Sequence, residues 1–269
     1  MSRPFQVDER IIVVDSKGRQ YLIKLAADGE FHTHTGFVPH ADLLGQEEGV
    51  TVRSTTGARY TAMRPSLSDF VMRMPRGAQV IYPKDLGPIL MLADIAPGVR
   101  VLEAGVGSGA LSMTLVRAGA NVVGYEIRED FARRAIANVE DFLGSASLGR
   151  YRVEVRDVYE GIDEDGLDVV VLDLAEPWRV VKHAEQALRA GGTLVAYTPS
   201  ITQAVQLREA LEASDFELAQ TIEVLNRSWH IEGLSVRPDH RMVAHTAFLT
   251  SARLLGPVPG GLKSPGAPR

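Results

Sequence analysis

A glycine-rich run with an acid inside it constrains the fold of this chain most strongly. It reads VLEAGVGSG over residues 101–109, where an apolar β-type stretch passes into a glycine loop. Together with three later β-type runs it gives four acids at or just beyond a strand end: Glu103, Glu126, Asp157 and Asp173. In an open parallel α/β sheet the carboxyl ends of the strands share one edge, where ligands bind. We therefore predict a single site at which the glycines and the four acids meet.

Strand and helix patterns alternate from residue 100 onward. The predicted strands are 100–104, 121–126, 151–157, 168–174 and 192–198, and the predicted helices are 109–117, 129–142, 178–189 and 201–213. Two further β runs, 216–225 and 245–253, complete the region. Such alternation implies right-handed crossovers and a parallel sheet with helices on both faces. The predicted fold class is α/β with a Rossmann-like sheet.

The first third of the chain differs from the rest. Residues 1–64 contain short β-type runs separated by turn residues, which predicts a small all-β domain. Residues 65–98 are expected to form a connector with helices around 66–74 and 84–94. The main domain is expected to span 99–255, and the Pro/Gly-rich stretch 256–269 is expected to be a disordered tail.

Composition excludes several kinds of site and partner. The 269 residues include no cysteine, which excludes disulfides, thiolate metal sites and cysteine nucleophiles. No apolar stretch approaches the roughly 20 residues that span a bilayer, and the amino terminus has no apolar signal core. We expect a cytoplasmic protein without a membrane partner. His32 and His34 lie two apart with no third ligand nearby, so no metal site is predicted.

The charge of the chain leaves its partner open. A net charge of −5 argues mildly against nucleic acid, because phosphate binding depends on clustered Lys and Arg. Cations nevertheless concentrate in two segments, the first with Arg64, Arg73, Arg76 and Lys84 and the second with Arg227, His230, Arg237, His240 and Arg241. Binding patches and ordinary solvated cations are both compatible with this distribution.

Two cofactors are compatible with the glycines. The spacing Gly105-x-Gly107-x-x-Ala110, with Glu126 about 20 residues on, also satisfies the dinucleotide fingerprint. Glu103, however, precedes the first glycine, where a carboxylate would face a pyrophosphate unfavourably but would suit an aminopropyl ammonium group. Asp157 is placed to accept from an adenine amino group, and Asp173 begins the acidic segment DLAEPW. This set favours S-adenosylmethionine, which carries positive charge and no phosphate.

Several motifs in this chain resemble the class I methyltransferase fold and, within it, the tRNA (adenine-58-N1)-methyltransferase family of the TrmI type. The motifs are IYPKD (81–85), EAGVGSGAL (103–111), GYE (124–126), DLAEPW (173–178), VAYTPS (195–200) with Thr202 and Gln203, and RMVAHTAFL (241–249). The resemblance covers nearly the whole chain, including the small amino-terminal β domain. The glycine motif is widespread, whereas the YPKD and DLxxPW pieces together are much more specific. The segment between Ala118 and Asn121 is shorter than in the family, which shortens the loop before the second strand. This departure affects contacts of that loop and not the implied reaction.

The resemblance implies roles for the candidate site residues. The cradle for the methionine part of the cofactor would consist of Gly105, Val106, Gly107, Ser108 and Gly109. Glu126 would bind the ribose hydroxyls and Asp157 the adenine, while Asp173 would lie between cofactor and target base. The implied reaction transfers a methyl group from S-adenosylmethionine to N1 of adenosine 58 in the T-loop of tRNA. The implied partner is tRNA, and the implied assembly is a homotetramer.

Chemistry supports the role of Asp173 independently. N1 of adenine attacks as a neutral lone pair, so the base needs no deprotonation and becomes positively charged. A carboxylate that accepts from the exocyclic amino group would orient the ring and stabilise that charge. Tyr82 and Tyr197 are predicted to contact the extruded base. For Trp178, packing in the core is an equal alternative, and Glu176 is equally explained as an acid in the first turn of a helix.

Two other classes of function stay open. The chain could be a non-catalytic tRNA-binding subunit, although such a subunit is expected to lack the glycines and the acid after the fourth strand. It could also methylate a protein carboxylate or a small molecule. The amino-terminal β domain and its cationic connector favour a large substrate over either alternative.

Overall fold

The amino-terminal region is a small antiparallel β structure. The computed structural model describes residues 3–77 and 79–256 of the 269, so all but the first residue of the predicted tail 256–269 lies outside the described residues. The strands are β1 (Arg10–Asp15), β2 (Gln20–Lys24), β3 (Glu30–Thr33), β4 (Gly36–Pro39), β5 (Thr51–Arg53) and β6 (Arg59–Met63). Four of them form a sheet of order β2-β1-β6-β5, and β3 pairs with β4 in a separate hairpin. Alternate residues such as Ile11, Val13 and Ala62 fill one core, as expected for strands with one buried face.

The two histidines of this region do not share a strand face. His32 lies on β3 beside the carboxylate of Glu30, with 2.9 Å between His32 Nε2 and Glu30 Oε2. His34 lies in the turn that joins β3 to β4. Within the described residues no group of three or more His, Cys, Asp or Glu side chains is arranged to hold a metal ion.

Two helices form the connector to the main sheet. Helix α1 (Leu67–Arg73) begins at a capping box, in which Ser66 accepts from the backbone of Asp69 and the Asp69 side chain accepts in return. Helix α2 (Pro83–Leu92) has Pro83 in its first turn, where a proline costs no hydrogen bond, and it also contains Pro88. Both helices lie close to the predicted positions, although α2 ends two residues before Asp94, whose backbone takes a φ of +52°.

The main domain is a seven-stranded sheet flanked by helices. Its strands are β7 (Arg100–Ala104), β8 (Asn121–Glu126), β9 (Tyr151–Val155), β10 (Leu167–Leu172), β11 (Leu188–Thr198), β12 (Phe216–Glu223) and β15 (Phe248–Leu254). The order is β12-β15-β11-β10-β7-β8-β9, and β15 runs antiparallel to both of its neighbours. The helices are α3 (Ala110–Arg117), α4 (Glu129–Leu143), α5 (Val181–Ala187) and α6 (Ile201–Glu212). The predicted α/β fold class is confirmed.

Alternation along the strands divides the core into two layers. Val169 and Val171 of β10 pack with residues of α2, α3 and α4, whereas Val170 and Leu172 pack with residues of α5 and α6. Because successive strand side chains point to opposite faces, a fully apolar strand buries both of its faces under helices. The strand order changes direction between β7 and β10, and in sheets of this kind the ligand site lies at that switch point.

Several predicted boundaries were wrong for identifiable reasons. Strand β9 stops at Val155, because the Asp157 side chain accepts from Tyr159 N at 2.9 Å and starts a 3-10 turn at 158–160. Strand β10 stops at Leu172, so Asp173 lies in the loop that follows. The predicted helix 178–189 is a 3-10 turn at 177–180 followed by α5, and the next residues already belong to β11.

One hairpin was not predicted. Strands β13 (Trp229–Glu232) and β14 (Ser235–Pro238) form a two-stranded antiparallel hairpin between β12 and β15. Since β12 ends and β15 begins at the carboxyl edge of the parallel strands, the hairpin leaves the sheet at the edge that carries the candidate site.

In the described part of the chain, no helix has the length and apolar character needed to cross a membrane.

Candidate active site

The glycine loop brings the ends of two neighbouring strands together. Gly105 follows β7 with a φ of +87°, and its N–H donates to Tyr125 O at 3.0 Å. A Cβ added at Gly105 would lie 2.1 Å from the backbone oxygen of Asp173. Glycine is therefore required here both for the left-handed backbone and for the close approach of the loop that follows β10.

Glu126 connects the loops that follow β7 and β8. Its Oε2 accepts from Gly107 N at 3.0 Å, and its Oε1 accepts from Arg128 N at 3.0 Å. The side chain is 8% exposed at the end of β8. The carboxylate thus links the glycine loop to the loop after β8. Gly109, the last residue of the glycine loop, directly precedes α3.

Glu103 is a fully buried acid at the end of β7. Ser112 Oγ donates to Glu103 Oε2 at 2.6 Å, and the Tyr151 hydroxyl donates to Ser112 Oγ at 3.0 Å. Burial, together with the nearby charges of Asp173 and Glu126, raises the pKa of Glu103 to about 8, against hydrogen bonds from Ser112 that lower it. A buried carboxyl with two acidic neighbours is a site for a cationic group.

Asp173 lies half-buried at the switch point of the sheet. Its backbone N–H donates to Ala104 O at 2.9 Å, which continues the pairing of β10 with β7. Burial, and then the charge of Glu126, raises the pKa of Asp173 to about 7. In the absence of a cation, this carboxyl is therefore close to half-protonated at neutral pH.

The glycine loop, two of the four acids (Glu103 and Asp173) and the segment before α2 enclose a pocket. The residues that line it are Gln79, Val80, Ile81, Glu103, Gly105, Val106, Gly107, Ser108, Ala110, Leu111 and Asp173. The Ser108 hydroxyl is buried without a hydrogen-bond partner in the described structure. A buried donor without an acceptor, beside carboxylates without a cation, fits a ligand that carries both an acceptor and positive charge. A pyrophosphate supplies only negative charge, so the dinucleotide alternative does not fit.

Sequence reasoning missed part of this pocket. Gln79 and Val80 form one wall with Ile81, the first residue of the motif IYPKD. These two residues have no chemical signature of their own, and only their closeness to that motif could have drawn attention to them.

The predicted aromatic residues Tyr82, Tyr197 and Trp178 are not among the residues that line this pocket. Tyr197 on β11 is 8% exposed, and burial raises the pKa of its phenol to about 12. Nearby Asp85, Asp173 and Tyr82 contribute to the same rise in pKa. Trp178 is half-buried in the 3-10 turn at 177–180, and Asp157 caps the turn after β9, outside the pocket lining.

Most cations of the first segment, which runs from Arg64 to Lys84, pair with acids of the protein. Arg64 lies 2.6 Å from Glu9 and 2.9 Å from Glu48, Arg73 lies 3.5 Å from Asp69, and Lys84 is buried against Asp85 at 2.9 Å. Three of its four cations are thus paired with acids of the protein itself, and Arg76 is exposed. The exposed cations of the second segment, among them Arg227, His240 and Arg241, flank the hairpin at the carboxyl edge.

Comparison with known proteins agrees with this architecture. The tRNA (adenine(58)-N(1))-methyltransferase TrmI of Thermus thermophilus is 39% identical over 246 residues, which cover 90% of this chain and 96% of that protein. A SAM-dependent O-methyltransferase from Thermotoga maritima matches with a TM-score of 0.90 at 31% identity, over 95% of this chain and 96% of that chain. The tRNA (m1A58) methyltransferase TrmI from Aquifex aeolicus matches with a TM-score of 0.82 at 26% identity, over 94% and 100%.

The fold defines a class I S-adenosylmethionine-dependent methyltransferase. A family model described as "tRNA methyltransferase complex GCD14 subunit" matches residues 61–243, and one described as "TrmI-like N-terminal" matches residues 4–52. The chain therefore belongs to the TrmI/GCD14 family of tRNA methyltransferases, and the family resemblance seen in the sequence is confirmed.

The buried acid predicts a pH dependence of stability. Between its ordinary pKa of 4.5 and about 8, Glu103 is ionised in the unfolded chain but protonated in the ligand-free protein. The folded state then binds the extra proton, so the free energy of unfolding falls as pH rises, by about 1.4 kcal/mol per pH unit from this group. Urea denaturation at pH 5.5 and 7.5 should show this loss, and Glu103→Gln should reduce it by about 2 kcal/mol over that interval. An equal loss in both proteins would contradict the assignment.

Proposed function

We propose that this chain transfers a methyl group from S-adenosylmethionine to N1 of adenosine 58 in the T-loop of tRNA. The observation that carries the proposal is the position of Asp173, half-buried at the switch point, where it lines the glycine pocket and lies within electrostatic range of Tyr197. Membership of a tRNA methyltransferase family supports the substrate class.

Residues in the pocket and in the loops beside it supply a matching set of groups for the cofactor. Glu103 would bind the ammonium group of the cofactor's methionine part, and the unpartnered Ser108 hydroxyl would donate to the carboxylate of the same part. Glu126 would bind the ribose hydroxyls while it keeps the loop in place, and Asp157 would accept from the adenine amino group. When bound, S-adenosylmethionine supplies a methyl group on a positively charged sulfur.

Asp173 would act on the target base. Its carboxylate would accept from the exocyclic amino group of adenine and so orient N1 toward the pocket. As the base becomes positively charged, the same carboxylate would stabilise that charge, and no proton needs to be removed from N1 beforehand. A positively charged neighbour lowers the pKa of Asp173 from about 7, which keeps the carboxyl ionised at the moment it is needed.

The surroundings of the site fit a large anionic substrate. A base inside a folded RNA has to leave its stack to be methylated, and aromatic side chains hold extruded bases. Tyr82 and Tyr197, which lie near each other and near Asp173, would do this. Phosphates would meet the exposed cations that flank the hairpin at 229–238.

We further propose a homo-oligomer, with a homotetramer as the expected form, acting in the cytoplasm on tRNA.

Methyl transfer to a defined transcript tests the proposal directly. The purified chain is incubated with methyl-labelled S-adenosylmethionine and an unmodified tRNA transcript, and the digested RNA is analysed for 1-methyladenosine. We expect label in that nucleoside and none when position 58 of the transcript is changed to G. Label in base-labile protein esters or small molecules, with none in RNA, would instead identify the carboxylate or small-molecule methyltransferase. Binding of tRNA without any transfer would identify a non-catalytic subunit.

A further inference from the structure

One buried ammonium group holds three distant segments together beside the site. Lys84 Nζ donates to Asp85 Oδ1 at 2.9 Å, to Val224 O at 2.7 Å and to Thr246 Oγ1 at 2.6 Å. The Lys84 side chain is 7% exposed and that of Asp85 is fully buried. All three ammonium protons therefore have acceptors, one in α2, one just after β12 and one just before β15.

Thr246 closes this network into a ring. Its hydroxyl accepts from Lys84 and donates to Asp85 Oδ2 at 2.7 Å. Both carboxylate oxygens of Asp85 are thus engaged by groups from the network. We refer to Lys84, Asp85 and Thr246 as the buried triad.

The buried triad adjoins both tyrosines proposed to hold the base. Tyr82 is the residue before α2, only two positions from Lys84, so its position follows that of the helix start. The Tyr197 phenol lies near the Thr246 hydroxyl and the Asp85 carboxylate, and both of these groups act on its pKa. On the other side of the network, Asp85 N donates to Tyr82 O at 2.9 Å. The neighbouring residue His245 links the same segments, because its ring lies 2.7 Å from Glu223 Oε1 and 2.8 Å from Pro199 O.

A network of this composition is better suited to fixing a geometry than to stabilising the fold. Removing two charges from water costs about as much as their attraction returns, so apolar side chains of similar size would stabilise this position at least as well. What the buried triad adds is direction, because each hydrogen bond specifies one orientation of its partner. The residue it fixes most directly is Tyr82, whose backbone oxygen accepts from Asp85 N, and the Tyr197 phenol lies close to the Thr246 hydroxyl of the same network.

We propose that Lys84, Asp85 and Thr246 are positioning residues that fix Tyr82 and Tyr197 relative to Asp173, so that an extruded adenine is held in line for methyl transfer. This inference rests on the proposed function. The buried triad does not line the cofactor pocket, so its loss should affect turnover of the bound base and leave cofactor affinity unchanged.

Thr246→Val tests the proposal, with Thr246→Ser as the matched control. Valine keeps the shape and removes the hydroxyl that bonds to Lys84 and Asp85 and lies near the Tyr197 phenol, whereas serine keeps that hydroxyl. Because misplacement of reacting groups by about 1 Å can cost on the order of 100-fold in rate, we expect kcat on the tRNA transcript to fall about 10- to 100-fold in Thr246→Val. We expect Thr246→Ser to stay within about threefold of the parent, and the Kd for S-adenosylmethionine to change less than about threefold in both variants.

A double-mutant cycle adds a measurement that general damage to the fold would not reproduce. If Thr246 acts through the phenol of Tyr197, the effects of Thr246→Val and Tyr197→Phe on kcat should be clearly less than additive. Should Thr246→Val fail to fold, Asp85→Asn takes its place in the cycle, since it preserves size and removes one acceptor.

Three outcomes would overturn the proposal: an unchanged kcat in Thr246→Val, a parallel loss of cofactor affinity, or additive effects in the cycle. Failure of the proposed function has a different signature, because the unmodified chain itself would then leave adenosine 58 unmethylated.

Discussion

Asp173→Asn is expected to lower kcat on the tRNA transcript by about 100- to 1000-fold, the usual effect of removing one preorganised electrostatic partner of a transition state. Asparagine has nearly the same size but no negative charge to stabilise the cationic base. Asp173→Ala, which also removes the acceptor, should lose at least as much. The Kd for S-adenosylmethionine should stay within about tenfold, or 1.4 kcal/mol, since Glu103 and the glycine loop are unchanged. Single-turnover kinetics and calorimetry measure the two quantities separately.

Asp168→Asn is the matched control for this experiment. Asp168 lies near the start of the same strand, β10, whereas Asp173 follows its end. Its carboxylate accepts from Arg100 N at 2.8 Å and from Arg189 Nε at 2.6 Å, far from the glycine pocket along the strand. Its loss should affect stability and leave kcat unchanged. Lost cofactor binding with undiminished single-turnover chemistry in Asp173→Asn would remove Asp173 from its proposed role.

Gly105→Ala is expected to produce the largest combined loss of stability and cofactor binding. An alanine at a φ of +87° costs about 1–2 kcal/mol in the backbone alone. Its Cβ would also lie 2.1 Å from the Asp173 backbone oxygen, which forces the loops after β7 and β10 apart. We expect a loss of about 3 kcal/mol or more in the free energy of unfolding, with overpacking supplying the remainder. Cofactor affinity should fall more than tenfold, because the pocket lies between these loops.

Gly18→Ala separates the cost of the left-handed backbone from the cost of the contact with Asp173. Gly18 has a φ of +76° in the turn between β1 and β2, and no atom lies within 4 Å of an added Cβ. It should lose only the backbone cost of about 1–2 kcal/mol and retain full cofactor affinity. Equal losses of stability in the two variants, measured by urea denaturation, would show that the contact with Asp173 contributes nothing.

The acids of the site were predictable because parallel strands impose their own geometry. Glu103 and Glu126 end apolar runs of alternating or continuous hydrophobicity, and Asp173 follows a third, so any parallel arrangement of these runs brings them to one edge. The chemistry of the ligand followed from the sign of their charge. Predicted strand ends were less accurate, since the place where β9 stops depends on a side chain, Asp157, that bonds to the backbone two residues on.

Interactions between distant segments were not predictable in the same way. The cations Arg64 and Lys84 looked alike in the sequence, yet one forms a partly buried pair with Glu9 and the other is enclosed with Asp85 and Thr246. The hairpin at 229–238 was missed because its short strands carry charged residues between apolar ones and contribute nothing to the main sheet.

The sequence by itself determined the α/β class, the family resemblance and the edge of the sheet at which the acids meet, because these depend on periodicity and on residues next to each other in the chain. Only the tertiary structure decided which cations are neutralised, that Glu103 is buried deeply enough to hold its proton to about pH 8, and that Lys84 reaches segments 140 and 162 residues away. The physical reason is that burial and partner choice are set by where the folded chain places groups far apart in sequence, and local patterns carry no record of those distances.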